Sequence, residues 1–153
     1  MTRNNLSVFV FHILFNLIVG LCIYPLGEMK LLFEIFISIT ACIIYCIFGY
    51  LYDLDYFKSR IKNFLSVSSI LVCGILIWII CANNDQGNSM EYLIWLVYIS
   101  FYASISRSSQ IIIENISQNE FPYIPPDSLI LITVIPTLFI WIGHELKNVI
   151  KKV

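Results

Sequence analysis

Long apolar runs separated by short polar stretches dominate the chain. A helix needs about 20 largely apolar residues to cross the hydrocarbon core of a bilayer, and the runs here are bounded by charged residues, Pro or Gly. The pattern predicts an all-α fold: a polytopic integral membrane helix bundle that forms a single domain over residues 1–153. The five predicted spans are 6–26, 31–52, 62–82, 91–113 and 129–146.

The first apolar run raises the choice between a signal peptide and an anchor. Its length exceeds the roughly 7–15 residues of a secretory h-region. A small-x-small cleavage site is also missing, since Gly20-Leu21-Cys22 lies inside the run. We therefore expect a retained membrane helix.

The fourth predicted span is the weakest of the five, because its apolar run ends at Ile105, just before Ser106 and Arg107. One interpretation extends the helix to Ile113, with the Arg107 guanidinium snorkelling towards an interface. The other is a re-entrant segment that enters the membrane and returns. We favour the full span. The polar stretch 107–127 is expected to be an interfacial helix or a connecting loop.

The basic residues indicate orientation, because short loops rich in Lys and Arg stay on the cytoplasmic side. The loop before the third predicted span holds three such residues, which places the N-terminus in the cytoplasm. Five crossings would leave the C-terminal lysines outside, against this rule, whereas four crossings and a re-entrant segment would leave them inside. The sequence does not decide between these two topologies. The basic residues of the loop are Lys58, Arg60 and Lys62, and the C-terminal lysines are Lys147, Lys151 and Lys152.

The composition supports a membrane location and excludes several functions. Charged residues make up 12% of the chain and apolar residues 59%, whereas about 25% of the residues in a soluble domain are charged. A formal net charge of −1 argues against nucleic-acid binding, which uses a basic face. Membrane lipids are the expected surroundings. Richness in Ile, Phe and Asn resembles the composition of proteins from AT-rich Gram-positive bacteria, so a bacterial cell membrane is the expected location.

Three polar residues within the first two spans are candidate contacts. His12 and Asn16 are four residues apart and project from one helix face, and Glu34 lies one turn inside the second span. Polar groups at such depth are costly unless they are partnered. For His12 and Asn16, hydrogen bonds to a neighbouring helix, worth roughly 0.6–2 kcal/mol each, are the favoured interpretation. Glu34 either pairs with Lys30 or with a cation of another helix, or is solvated at the interface. A proton relay or a polar transport lining is the alternative.

Arg107 and Glu114 form a second pair of candidate polar or partner contacts. A continuous helix would place both on one face, two turns apart. Arg107 either binds lipid phosphate through its planar guanidinium or marks a helix end, and we favour the helix end.

Small residues at helical spacing predict close helix packing. Such stripes let helices approach, because lipid supplies no hydrophobic drive between them. The sequence does not decide between packing within one chain and packing between chains. The two stripes are Ser66, Ser69 and Cys73, and Ser100, Ser104 and Ser108.

The chain shows no catalytic motif. His144-Glu145 resembles the start of a zinc-protease motif, but that motif needs a second His at position 148, which is Asn148. A nucleophile elbow and a phosphate loop are also missing. We expect no enzyme activity, no metal and no cofactor. The cysteines are expected to pack as small apolar residues, with a Cys22–Cys81 disulfide as a minor alternative.

These features favour a small membrane accessory or interaction protein, such as a subunit, regulator or immunity-type factor. It would act by helix–helix association with another membrane protein or with itself. The alternative is an oligomeric transporter or channel for an ion or small solute, lined by His12, Asn16 and Glu34.

Overall fold

Helices make up nearly all of the chain that the structure describes. The structure is a computed structural model, and it describes residues 1–23, 31–83, 97–105 and 126–150. No strand occurs within these ranges, so the predicted all-α fold class is confirmed. Residues 97–105 are helical with an interruption at Tyr102. The helices are α1 Thr2–Ile23, α2 Leu31–Leu51, α3 Arg60–Leu65, α4 Ser69–Asn83 and α5 Pro126–Ile150.

Two of these helices, α1 and α2, are long and apolar enough to cross a membrane, over Thr2–Cys22 and Leu32–Leu51. The apolar part of α4, Ser69–Cys81, is shorter. In α5, Pro occupies the first helical position, where its missing N–H costs nothing and its fixed φ suits the helix. The predicted arrangement of five spans is not confirmed.

The third predicted span, 62–82, is wrong as a continuous helix, because a turn at residues 66–68 separates α3 from α4. Ser66 Oγ donates to the Asn63 carbonyl at 2.8 Å and Ser68 Oγ to the Leu65 carbonyl at 3.0 Å. Such local bonds compete with the helical hydrogen-bond pattern. The first turn of α4 is then capped from α1, since Ser69 N–H donates to Asn5 Oδ1 at 3.0 Å.

The fourth predicted span, 91–113, is described only over residues 97–105, where the helix is interrupted. Tyr102 N–H is shared between the carbonyls of Tyr98, at 3.3 Å, and Ile99, at 3.2 Å. Ile105 N–H then donates to the Tyr102 carbonyl, three residues back, at 2.9 Å. The full-span interpretation predicts one regular helix over 91–113. The described part, 97–105, is not one regular helix.

One end of the bundle gathers the start of α1, the connection 52–59, α3 and the end of α5; we call it the polar end. Arg3 forms an ion pair with Asp55. Lys147 Nζ lies 3.9 Å from Asp53 Oδ1 and donates to the Tyr52 carbonyl at 2.9 Å. Helices α1, α2, α4 and α5 therefore alternate in direction, and α5 returns to the end where α1 begins.

Helices α2 and α5 share the largest contact between described helices, and two glycines allow it. A Cβ atom on Gly49 would lie 2.9 Å from the carbonyl carbon of Ile140 and closer still to its oxygen. A Cβ atom on Gly143 would lie 2.9 Å from the carbonyl carbon of Cys46 and closer to its oxygen. The two backbones therefore touch where they cross, and this contact fixes α5 against α2.

On α1 and α2, several polar side chains are buried while many large apolar side chains are exposed, which is unusual for a soluble protein. His12 is fully buried and Asn16 is 2% exposed, whereas Leu21 of α1 is 68% exposed and Leu32 of α2 is 81% exposed. Further large apolar side chains of α1 and α2 are exposed in the same way: Leu6, Leu14, Leu17, Ile18, Phe36, Ile39, Ile43 and Leu51.

Candidate functional site

A buried polar cluster joins α1, α2 and residues 97–105. We call it the Asn16 network; its members are His12, Asn16, Tyr45 and Ser104. Each of the four side chains is at most 2% exposed. Two come from adjacent turns of α1, one from the inward face of α2, and one from just after the interruption at Tyr102.

Asn16 is the centre of the network and uses its full hydrogen-bonding capacity. Its Nδ2 donates to the His12 carbonyl at 3.0 Å and to the Tyr45 hydroxyl at 2.8 Å. Its Oδ1 accepts from Ser104 N–H at 2.9 Å and from Ser104 Oγ at 2.8 Å. A backbone N–H can only donate, so the amide orientation is fixed: Oδ1 must face Ser104.

The same reasoning assigns the proton positions on Tyr45 and His12. The Tyr45 hydroxyl accepts from Asn16 and lies 2.8 Å from His12 Nδ1. The hydroxyl proton satisfies this contact when Nδ1 is the acceptor, which places the imidazole proton on Nε2. His12 Nε2 is buried and makes no hydrogen bond among the described residues.

Aromatic rings enclose the network on the side of residues 97–105. The His12 ring centroid lies 4.6 Å from that of Phe101 and 5.3 Å from that of Tyr102. The Tyr102 hydroxyl donates to the Ile70 carbonyl at 3.2 Å. This contact requires a glycine on α4, because a Cβ atom on Gly74 would lie 2.7 Å from Tyr102 Cζ.

The inward face of α2 extends the network towards the start of that helix. Positions 34, 38, 41 and 45 follow one another at spacings of four and three residues and share this face. Ser38 Oγ donates to the Ser104 carbonyl at 3.3 Å, and Glu34 is 2% exposed. The candidate residue Glu34 therefore lies on the same helix face as Tyr45, buried within the bundle.

The residues of the two candidate packing stripes lie in different environments. Ser104 is buried in the network whereas Ser100 is exposed, so the two do not share one packing surface. Ser66 and Ser69 lie at the polar end and Cys73 is half-buried. Arg107, Ser108 and Glu114 lie outside the described residues, as does most of the stretch 107–127.

A second set of polar contacts, at the polar end, was not anticipated from the sequence. Asn4 Nδ2 donates to the Asp55 carbonyl at 2.9 Å, and Asp55 N–H donates to Asn4 Oδ1 at 2.9 Å. Asn63 Nδ2 donates to Glu145 Oε1 at 2.8 Å. These amides fasten α1, the connection 52–59, α3 and α5 together. The signal available in the sequence is the run of Asn residues beside the predicted helix ends.

The cysteines are free thiols. Cys22 is exposed and Cys81 is buried, so the disulfide considered between them is not formed. Within residues 1–23, 31–83, 97–105 and 126–150, no group of three or more His, Cys, Asp or Glu side chains is placed to hold a metal ion.

Comparisons with known protein families, curated proteins and solved structures find nothing that matches this chain. Function is therefore inferred from three features of the molecule itself. These are the Asn16 network, the polar end, and the exposed apolar faces of α1 and α2.

Proposed function

We propose that the protein is a small integral membrane protein of the bacterial cell membrane that acts by helix–helix association with another membrane protein. It would be a subunit, regulator or immunity-type factor without chemistry of its own. Apolar outer faces on α1 and α2, together with buried polar groups, support this location, because a bilayer core solvates apolar side chains and leaves polar groups to pair internally.

One observation carries the choice of function: Asn16 uses all its hydrogen-bonding capacity within the chain. A residue that binds a substrate needs at least one donor or acceptor left for it. Asn16 is therefore suited to holding three segments together rather than to recognising a ligand. Recognition is left to the outer surface.

The outer face of α1 is the proposed contact surface. Leu14, Leu17, Ile18 and Leu21 are each more than half exposed and follow the spacing i, i+3, i+4, i+7 that lines one side of a helix. A partner helix can pack along such a stripe over two turns.

Purification in mild detergent from native membranes tests the proposal. We expect a distinct membrane protein at a fixed ratio, and we expect Leu17→Lys and Ile18→Lys, which place a charge on the stripe, to abolish its recovery. Leu76 of α4 is exposed to a similar degree, 54%, so Leu76→Lys is the matched control and should leave recovery unchanged. Recovery that is equally insensitive to all three substitutions would contradict the proposed surface.

The arrangement of the polar end leads to a proposed topology. Lys58, Arg60, Lys62 and Lys147 all belong to this end, since Lys147 contacts Tyr52 and Asp53. By the positive-inside rule this end is cytoplasmic. An even number of crossings follows, with α1, α2, α4 and α5 as the proposed spans and residues 97–105 as part of a re-entrant segment.

Reporter fusions test this topology. A fluorescent protein that matures only in the cytoplasm should be bright when it is fused at either terminus, whereas a periplasmic or surface phosphatase fused there should be inactive. Suppose that the N-terminal fusion is bright and the C-terminal fusion is dark although the membrane protein in it is inserted and folded. This result would indicate an odd number of crossings. That result would restore the interpretation with five spans.

A second candidate, the oligomeric transporter or channel, is favoured by one observation. Buried or half-buried polar residues continue along the bundle from Glu34 through Ser38 to the Asn16 network, which includes His12. This row is a candidate path for a proton or small ion. Flux through reconstituted protein that is lost in His12→Ala or Glu34→Gln would support it, and flux equal to that of empty vesicles would exclude it.

A further inference from the structure

An apolar groove runs between the outer sides of α1 and α2. It has a volume of about 320 Å³, and the Phe11 and Phe48 rings stack along it with centroids 3.9 Å apart. Ile47 and Leu51 are 48% and 70% exposed beside it. The groove is lined almost entirely by apolar side chains and is open on its outer side, so it suits a single hydrocarbon chain. Its lining residues are Phe11, Ile44, Ile47, Phe48, Leu51 and Tyr52.

A polar pocket lies beside the groove at the polar end. This pocket has a volume of about 180 Å³ and is lined by Arg3, Asn4, Ser7, Tyr52 and Asp53. Tyr52 belongs to both cavities, and its hydroxyl donates to Ser7 Oγ at 3.4 Å. Apolar groove and polar pocket thus form one amphipathic surface, with its polar part where a bilayer interface is proposed.

The pocket presents both signs of charge. Arg3 Nη2 bonds the Asp55 carboxylate and, at 3.1 Å, the Asp53 carbonyl, while the remaining guanidinium nitrogens make no hydrogen bond among the described residues. The Asp53 carboxylate is 93% exposed, with Lys147 Nζ at 3.9 Å. A ligand with one anionic and one cationic group complements this pair.

We propose that this surface binds one bilayer phospholipid whose headgroup carries a phosphate and a primary ammonium. The phosphate would lie on Arg3, which suits oxyanions through its planar donors, and the ammonium on Asp53. A primary ammonium donates hydrogen bonds to a carboxylate, whereas a quaternary ammonium has none to donate. An anionic headgroup without a cation would face Asp53 unfavourably. The inference rests on the membrane location in the proposed function and is independent of the α1 stripe.

Native mass spectrometry of the full chain, released from nanodiscs with equal amounts of phosphatidylethanolamine, phosphatidylcholine and phosphatidylglycerol, tests the site. We expect one phosphatidylethanolamine per chain, retained about tenfold over either competitor, near the lower end of the ratio that one hydrogen bond to a charged group supplies. Arg3→Gln should lower retention by a similar factor, because it removes the phosphate contact. Arg60→Gln, an equal charge change at the same end, should not.

The apolar part of the site has its own matched pair. Ile47→Trp fills the groove and should lower retention, whereas Ile43→Trp, one turn away on α2 and 53% exposed, should not. Leu51→Trp provides a second groove-filling variant, and circular dichroism confirms that each variant is folded.

Equal retention of the three lipids, a preference for phosphatidylglycerol, or folded groove variants with undiminished retention would each overturn the inference. If lipid binding fails while the membrane partner is still recovered, the proposed function stands and the lipid site is wrong. If partner recovery is lost while lipid binding is intact, the lipid site stands and the proposed function is wrong.

Discussion

Replacing Gly49 or Gly143 by Ala is expected to separate α2 from α5 and to destabilise the protein strongly. Each new Cβ atom would stand within 2.9 Å of a carbonyl carbon of the opposite helix and closer to its oxygen. Backbone cannot move aside as a flexible side chain can. Overpacking ordinarily costs 1–3 kcal/mol, so we expect a loss of at least about 3 kcal/mol in the free energy of unfolding.

Thermal unfolding in detergent, followed by circular dichroism, measures this effect. Gly20→Ala is the matched control, because among the described residues its Cβ atom would meet only the Ala103 Cβ, at an ordinary 3.8 Å. The control should leave the unfolding temperature nearly unchanged. If Gly49→Ala lowers the unfolding temperature no more than Gly20→Ala does, α2 and α5 do not cross at Gly49 and Gly143.

The second large effect is expected for Asn16→Leu. Ser104 lies in the first turn after the interruption at Tyr102, where a backbone N–H has no acceptor within its own helix. Asn16 Oδ1 supplies that acceptor from α1. Leucine would leave this N–H and the Tyr45 hydroxyl without their Asn16 partner, at about 1–3 kcal/mol for each buried group. We expect a loss of about 3 kcal/mol.

A graded series of substitutions measures the contribution of the network. Ser104→Ala removes one donor and keeps the backbone bond, so its cost should be about 1 kcal/mol. Asn83→Leu is the matched control, since that exposed amide bonds only the Ile79 carbonyl of its own helix. Denaturant unfolding should rank the cost as Asn16→Leu, then Ser104→Ala, then Asn83→Leu. Equal tolerance of the first and last would show that the network does not hold the bundle.

The long apolar helices could be predicted from the sequence because each depends on its own residues. The predicted spans 6–26 and 31–52 overlap α1, Thr2–Ile23, and α2, Leu31–Leu51, almost completely. The predicted span 129–146 lies within α5, Pro126–Ile150. A sustained apolar run determines such a helix without help from distant parts of the chain.

The interruptions depend on distant contacts and could not be predicted in the same way. The turn before α4 is stabilised by Asn5, 64 residues away in the chain, although the serines around it were a local signal. Tyr102 interrupts its helix where its ring packs on Gly74 and its hydroxyl reaches the Ile70 carbonyl. The pattern of apolar residues over 91–113 does not predict these contacts with α4.

The candidate site shows the same division. The spacing of His12 and Asn16 correctly put both on one face of α1, but their partners Tyr45 and Ser104 lie 29 and 88 residues from Asn16 in the chain. The side of the C-terminus was undecided in the sequence. The contact of Lys147 with Asp53 places the end of α5 with the other basic residues, while Lys151 and Lys152 lie outside the described part.

The central claim is that the outer stripe of α1 contacts another membrane protein, and photo-crosslinking in living cells tests it most directly. A benzophenone side chain is placed at position 17, and for comparison at Val8, which is fully buried in the same helix. The account predicts a discrete adduct with one other membrane protein from position 17 and none from position 8. Adducts with lipid alone, or with a second copy of this chain alone, would contradict it.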